Sequence, residues 1–189
     1  LLKGVEILKA WDLKTDFENL HAALPIISFG WFMEIHPDDV SDETLIESFK
    51  DAVSYLYNHY DRLDVMWGNV NRLIRGNVNL GLAGGPDISH AVYGWPNDNG
   101  QIKAWAGDAF LMLVEWGKDG NVSSESIHQY GSNTQHKEST HYADQAPLFV
   151  ERKRKPVLIE LESIKKNLYH YQQNKLGPKL ILQAEDESF

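Results

Sequence analysis

The first part of the chain, residues 1 to about 75, places its apolar side chains at helical intervals. Leu2, Val5, Leu8 and Trp11 recur on one helix face. A second helix is predicted over residues 17–32, with Leu20, Leu24, Ile27 and Trp31 on one side. Pro25 should bend that helix or mark a break near Ala23–Leu24, because its ring removes a helical donor. The third helix carries the clearest signals. Pro37 lies ahead of it, Ser41 is a good N-cap, and Asp42 and Glu43 suit the positive end of the helix dipole. Leu45, Phe49, Val53, Leu56 and Tyr60 form its buried stripe. Residues 67–74 read as a short helix or a turn.

From Asn77 to Tyr130 the period changes to two. Asn77-Val78-Asn79-Leu80-Gly81-Leu82 alternates as a half-buried strand does, and Ala83-Gly84-Gly85-Pro86-Asp87 must be a loop. Residues 102–106 and 109–116 read as strands. The run Phe110-Leu111-Met112-Leu113-Val114 has no polar face, which predicts a central strand buried on both sides. Lys118-Asp119-Gly120-Asn121 is a hairpin turn in which Gly120 is free to take positive φ. Residues 122–129 return as the partner strand, with a polar face unusual for a core element.

Helical spacing resumes after that. A short helix is predicted over 142–150 and a longer one over 160–173, carrying Leu161, Ile164, Leu168 and Tyr171, before an acidic end that should fray. The organisation is therefore a helical segment (1–75), antiparallel strands (76–132), and C-terminal helices with a tail (133–189). That order predicts an α+β fold in which helices cover an antiparallel sheet.

Charge and composition narrow the function. The chain has 189 residues and a net charge of −9, from 27 acidic and 18 basic residues. That balance argues against nucleic-acid binding, which needs a cationic surface to displace phosphate counterions. The one dense basic run, Arg152-Lys153-Arg154-Lys155, reads as a solvated loop at a helix end. No stretch approaches the ~20 apolar residues of a membrane span, so no membrane partner is expected. With no cysteine, a disulfide scaffold, a thiolate metal site and a cysteine nucleophile are excluded. The opening Leu1-Leu2-Lys3-Gly4-Val5-Glu6 shows no signal peptide and reads as a helix already under way, as in a fragment or a processed piece.

Familiar chemical motifs are missing. The sequence has no Gly-x-Ser-x-Gly elbow, no His-Glu-x-x-His and no phosphate loop. Gly81-Leu82-Ala83-Gly84-Gly85 lacks the lysine and the following helix of a nucleotide loop. Asn97-Asp98-Asn99-Gly100 lacks the distant bidentate acid of a calcium loop and reads as a tight turn. His136 and His141 are five apart in a polar loop, the wrong spacing for one helix face. Ser123, Ser124 and Ser126 cluster near His128, which makes a self-sufficient serine hydrolase built on Ser126 and His128 one reading to test. Structural, hydrogen-bonded histidines are the other. No catalytic, metal or cofactor-binding residue is otherwise assigned.

A string of specific local choices runs through the chain. It comprises Trp11-Asp12 with Asp16, Gly84-Gly85-Pro86-Asp87, Tyr93-Gly94, Gly107-Asp108, Gln129-Tyr130-Gly131-Ser132, His141-Tyr142-Ala143-Asp144-Gln145-Ala146-Pro147-Leu148-Phe149, and Lys155-Pro156-Val157. In this order they resemble the C-terminal end of the penicillin acylase (penicillin amidase) family, which includes aculeacin-type, cephalosporin and acyl-homoserine-lactone acylases. The resemblance spans about Leu8 to Val157, and its most specific piece is the Tyr-Gly-Ser followed by His-Tyr-x-Asp-Gln-x-Pro-Leu.

The resemblance implies an N-terminal-nucleophile hydrolase with a four-layer αββα fold, cut from a precursor by itself and then using a new N-terminal serine. That serine's own α-amine, with a reference pKa near ~8, serves as base. The family's nucleophile, oxyanion-hole asparagine and most acyl-pocket residues precede the Trp-Asp segment, and Leu1 cannot stand for the nucleophile. The resemblance therefore implies scaffold: no cofactor, no catalytic residue in this chain, and no activity alone. Its partners would be the N-terminal remainder of the β subunit and the α subunit of the same precursor. A small acylated amide would be the parent's substrate, and the periplasm or the exterior its location. A stand-alone interaction domain that reuses the same fold is the competing class.

Overall fold

The computed structural model describes residues 1–30, 39–168, 172–176 and 179–183. The architecture is mixed α+β, with helices gathered in the first part and sheets rich in antiparallel pairing after them. Helix α1 spans Leu2–Ala10. Its inward positions are Gly4 and Ile7, whereas Leu2 and Val5 are exposed, so the predicted face is rotated. Gly4 explains the rotation. A Cβ there would stand 2.8 Å from the Phe49 ring, so the missing side chain is what admits the third helix. A pattern built on large apolar residues passes over such a position.

Helix α2 spans only Ala23–Phe29. The predicted start at Phe17 is wrong, and the break expected near Ala23–Leu24 is found as the helix start at Ala23. Pro25 lies in the first turn, where the missing N–H has no intrahelical acceptor to lose. Trp31, Phe32 and Pro37 lie outside the described residues. Residues 11–22 instead form a hydrogen-bonded loop. Trp11 Nε1 donates to the Lys14 carbonyl at 2.8 Å, and Asp12 Oδ1 accepts from Lys14 N and Asn19 Nδ2. The loop then accepts from distant segments: Thr15, Phe17 and Asn19 carbonyls receive the N–H groups of Gly84, Gly68 and Trp67.

Helix α3, Asp42–Tyr60, follows its sequence signals closely. Ser41 Oγ accepts from Thr44 N, the first turn is acidic, and Asp61 closes the helix in the left-handed region at φ 59°. Ala52, Val53 and Leu56 are buried, with Phe49, Tyr55 and Tyr60 packed beside them. Together with Ile7, Leu24, Leu63, Val65, Trp67 and Val70 they make the first core.

A one-turn helix α4, Trp67–Val70, leads straight into a strand β1, Asn71–Arg75, in the segment read as helix or turn. Asn71 is buried, and its Nδ2 donates to the Leu82 carbonyl at 3.0 Å, so a polar residue opens the strand without an unpaired group. Strands β2 (Val78–Gly81), β3 (Val92–Pro96) and β4 (Ile102–Gly107) complete a four-stranded sheet in the order β2-β1-β4-β3. The β1–β4 contact is parallel, so the sheet is mixed rather than wholly antiparallel. Leu73, Val92 and Ala104 from this sheet, with Leu82 just past β2, meet Ile127, Ala146 and Phe149 in the second core.

The second sheet is three-stranded, in the order β5-β6-β7: Phe110–Trp116, Val122–His128 and Lys155–Pro156. The hairpin is as predicted, with Phe110 opposite His128, Trp116 opposite Val122, and Gly120 at φ +83°. The placement of β5 is not. It is an edge strand, and Phe110, Met112, Leu113 and Trp116 are 50–74% exposed. An apolar run states that both faces suit a dry environment; among the described residues β6 pairs one edge, Leu111 and Val114 are half-buried, and the other apolar side chains of the strand are exposed. The 142–150 helix is shorter than predicted: a 3₁₀ turn at Thr140–Tyr142 precedes α5, Ala146–Val150. Helix α6, Leu161–Lys166, is the first part of the helix expected over 160–173, whose last two residues begin instead a hairpin of β8 (Gln172–Leu176) and β9 (Lys179–Gln183). Tyr171 lies outside the described residues.

Candidate functional site

Ser126 and His128 sit two apart on β6 and so share a face of the hairpin. They are not brought together chemically. Ser126 stands between Met112 and Lys155 in the sheet register, while the His128 ring packs on Phe110 with centroids 4.9 Å apart. Ser124 is buried and donates to the Leu113 carbonyl at 3.0 Å. Among the described residues no serine or threonine hydroxyl bonds a histidine ring nitrogen. A nucleophile needs a base within roughly 2.6–3.2 Å, so this cluster lacks the geometry of a hydrolytic pair.

The Tyr130–Gln145 region is built from the residues that carry the family resemblance, and it is architectural. Gln145 N donates to the Tyr130 carbonyl at 2.8 Å and Asn133 N to the His141 carbonyl at 3.1 Å, closing the segment on itself. His141 Nδ1 meets Asp144 Oδ2 at 2.9 Å. Gly131 is required by approach, since a Cβ there would overlap the His141 carbonyl and the Asp144 carboxylate. Arg75 reaches across from β1. Its guanidinium lies 4.4 Å from the Tyr130 ring centroid and 4.0 Å from that of Tyr142, and Nε donates to the Tyr142 carbonyl at 3.0 Å. Burial raises the Tyr130 phenol above its ordinary pKa, against the pull of the Arg75 charge. Asp144 therefore anchors the segment through His141, while Tyr142 does so through its carbonyl and ring.

Two cavities accompany the cores. One, about 200 Å³, lies between α2 and α3 on one side and β3 and β4 on the other, lined by Ile26, Ala52, Trp67, Val92 and Ile102. Tyr55 lines it with a buried hydroxyl that has no hydrogen-bond partner among the described residues, and burial raises its pKa.

The other is a wider cleft of about 510 Å³. The loop through Leu13–Asp16 forms one wall and residues 88–90 another. Leu111, Ile127 and Phe149 make an apolar floor, and Arg152 and Arg154 stand at the rim. His90 packs its ring edge-on against Phe149 at 5.4 Å. Burial lowers the His90 pKa, Arg152 adds to the effect, and Asp108 opposes it. Asp108 Oδ2 is buried near His90 and accepts no hydrogen bond among the described residues. The basic run is exposed at the end of α5, as expected, and two of its arginines are also paired. Arg152 pairs with Asp16 at 3.1 Å and Arg154 with Glu125 at 3.0 Å, which ties the α5–β7 connection to two other parts of the chain.

Sequence reasoning named neither His90 nor Asp108 as a site residue. The Gly107-Asp108 step was the available signal: Gly107 has φ +125°, and a Cβ there would overlap the Ala91 carbonyl. Among the described residues no group of three or more acidic, histidine or cysteine side chains is placed to hold a metal. No helix among them is long and apolar enough to cross a membrane.

The penicillin amidase family model matches residues 3–166, most of the chain. This chain belongs to the penicillin amidase family, and it is an acylase-like amide hydrolase region. No curated protein matches it.

Proposed function

We propose that the chain is the C-terminal, structural portion of the large subunit of an N-acyl amide hydrolase, and that the nucleophile belongs to another part of the same precursor. The observation that carries this reading is β5. It is an apolar strand with most of its side chains exposed and, among the described residues, one edge unpaired, although its composition is that of an interior strand. A strand of this kind is complete only when further strands and a covering layer are added, as in a four-layer αββα fold. The remainder of the β subunit and the α subunit would supply them. The family's motif residues in this chain are committed to loop closure and helix anchoring, which supports a scaffold role. The substrate class is a small acylated amide, and the parent enzyme would work outside the cytoplasm.

The test is a sensitive fluorogenic amide assay on the purified chain, alone and after reconstitution with the rest of the precursor. Amide hydrolysis needs well over ~8 kcal/mol of barrier lowering. Background turnover is expected for the chain alone and for Ser126→Ala and His128→Ala, with activity gained only on reconstitution. Turnover by the chain alone that disappears in either variant would overturn the proposal.

A further inference from the structure

The turn between β5 and β6 carries a signal that its fold does not use. Asn121-Val122-Ser123 has the form Asn-x-Ser with no proline between, and Asn121 is the only asparagine of the chain followed two places on by serine or threonine. That spacing is the acceptor pattern for N-linked glycosylation, in which the asparagine amide takes the sugar. Three matching residues say little until the structure shows the segment on an open surface, because a bulky polar glycan has no place in a packed interior.

Every residue from Glu115 to Ser123 is exposed. Gly120 takes φ +83°, and a Cβ built there would have no neighbour within 4 Å. Asn121 stands at the end of the turn. Its N–H and its Nδ2 donate to the two Asp119 carboxylate oxygens at 3.1 and 2.6 Å, and its carbonyl accepts from Gly117 N at 2.7 Å. These bonds are local and face solvent, so they open by fraying of the turn rather than by disruption of a core. Ser123 pairs opposite Glu115, and both are exposed. Ser124, the next residue, is buried and donates to the Leu113 carbonyl at 3.0 Å. The motif therefore ends where the strand begins to bury its side chains. The turn also lies outside the edge and faces of β5 that the proposed function leaves for the missing layers.

We propose that Asn121 is the acceptor of an N-linked glycan, transferred from a polyprenyl-diphosphate-linked oligosaccharide. Asn121 Nδ2 forms a bond to the anomeric carbon of the first sugar while the bond from that carbon to the diphosphate breaks. The bonding pair leaves with the lipid diphosphate, and Nδ2 gives up one proton to a base. The glycan then hydrates the end of the hairpin, where Trp116 is 74% exposed opposite Val122. The inference rests on one part of the proposed function, a parent that works outside the cytoplasm, because such acceptors are used on exported chains.

The test is translation of the 189-residue chain behind a cleavable export signal, in the presence of microsomes that hold an oligosaccharyltransferase. The product is weighed before and after treatment with a peptide N-glycosidase, and a companion chain with Asn-Ala-Thr added at its C-terminus reports import. One glycan is expected on the unsubstituted chain, removed by the glycosidase. Asn121→Gln and Ser123→Ala should each abolish it, and Ser123→Thr, which keeps the hydroxyl, should retain it. The glycosylated chain and Ser123→Ala should unfold at the same urea midpoint. Three results would each overturn the proposal: a glycan on the added tripeptide with none on Asn121, a glycan that persists in Asn121→Gln, or a midpoint lowered by the glycan, which would put the site against a packed surface. The added signal imposes export, so a missing glycan counts against this site alone, while the amide assay decides the hydrolase reading separately.

Discussion

Replacing Arg75 with methionine isolates the contact that joins the first sheet to the Tyr130–Gln145 region. Methionine keeps a flexible apolar stem of similar reach and removes the guanidinium. Two stacking contacts are then lost, at 4.4 and 4.0 Å, together with the hydrogen bond from Nε to the Tyr142 carbonyl at 3.0 Å. A cation over an aromatic ring at a partly exposed site is worth about 0.5–1 kcal/mol. A hydrogen bond from a charged donor adds about 1.5 kcal/mol at the low end appropriate to a half-buried group. With two rings, the expected loss is about 2.5–3.5 kcal/mol in urea unfolding, read as a lower midpoint with an unchanged slope. Double-mutant cycles divide it. Tyr142→Leu removes a ring but leaves its carbonyl, so Arg75 should still contribute in that background, with a coupling of about 0.5–1 kcal/mol to each tyrosine. An Arg75→Met loss below about 0.5 kcal/mol, or zero coupling to both rings, would refute the clamp.

Burial holds the Tyr60 phenol up at about 12, with a smaller contribution from Tyr55, and its hydroxyl donates to the Gly100 carbonyl at 2.7 Å. Its folded pKa is raised above the ordinary value of 10.0, so its stabilisation is complete below pH 10 and is lost as pH climbs towards 12. Unfolding midpoints across that window should fall, and less steeply in Tyr60→Phe. Leu56 is fully buried in the first core, and Leu56→Ala should cost about 2–5 kcal/mol by calorimetry or urea titration. The chain alone should self-associate through β5, and Leu113→Lys on that strand should shift sedimentation towards monomer; a clean monomer before substitution would contradict the exposed-edge argument.

Where local chemistry decides an element, the sequence was legible. The Ser41 cap, the stripe of α3 and the Asp119-Gly120 turn all act within a few residues of themselves, and each is found where it was expected. Where a distant segment decides, it was not. Phe17 continues an apolar periodicity on paper, yet its ring lies on Gly68 and Gly81, two positions where no Cβ would fit. Strand β1 is short and polar at its start, and it is a strand because β2 and β4 flank it. The apolar run of β5 was read correctly as to composition and wrongly as to position, because a dry-loving strand does not name its neighbours. The candidate cleft was invisible for the same reason: Asp16, His90, Asp108 and Arg152 are far apart in sequence, and only folding brings them together.

The loop that begins at Trp11 has a consequence for the order of folding. Its carbonyls wait for the N–H groups of Trp67, Gly68 and Gly84, which reach it only after α3 and the start of the first sheet have been laid down. Contacts of such long sequence separation form late, because loop-closure entropy must be overcome before they contribute. The α3 helix and the β5–β6 hairpin can organise early from their own neighbours. The first twenty residues then act as a late latch, closing over a structure already assembled and the first to spring open when it loosens.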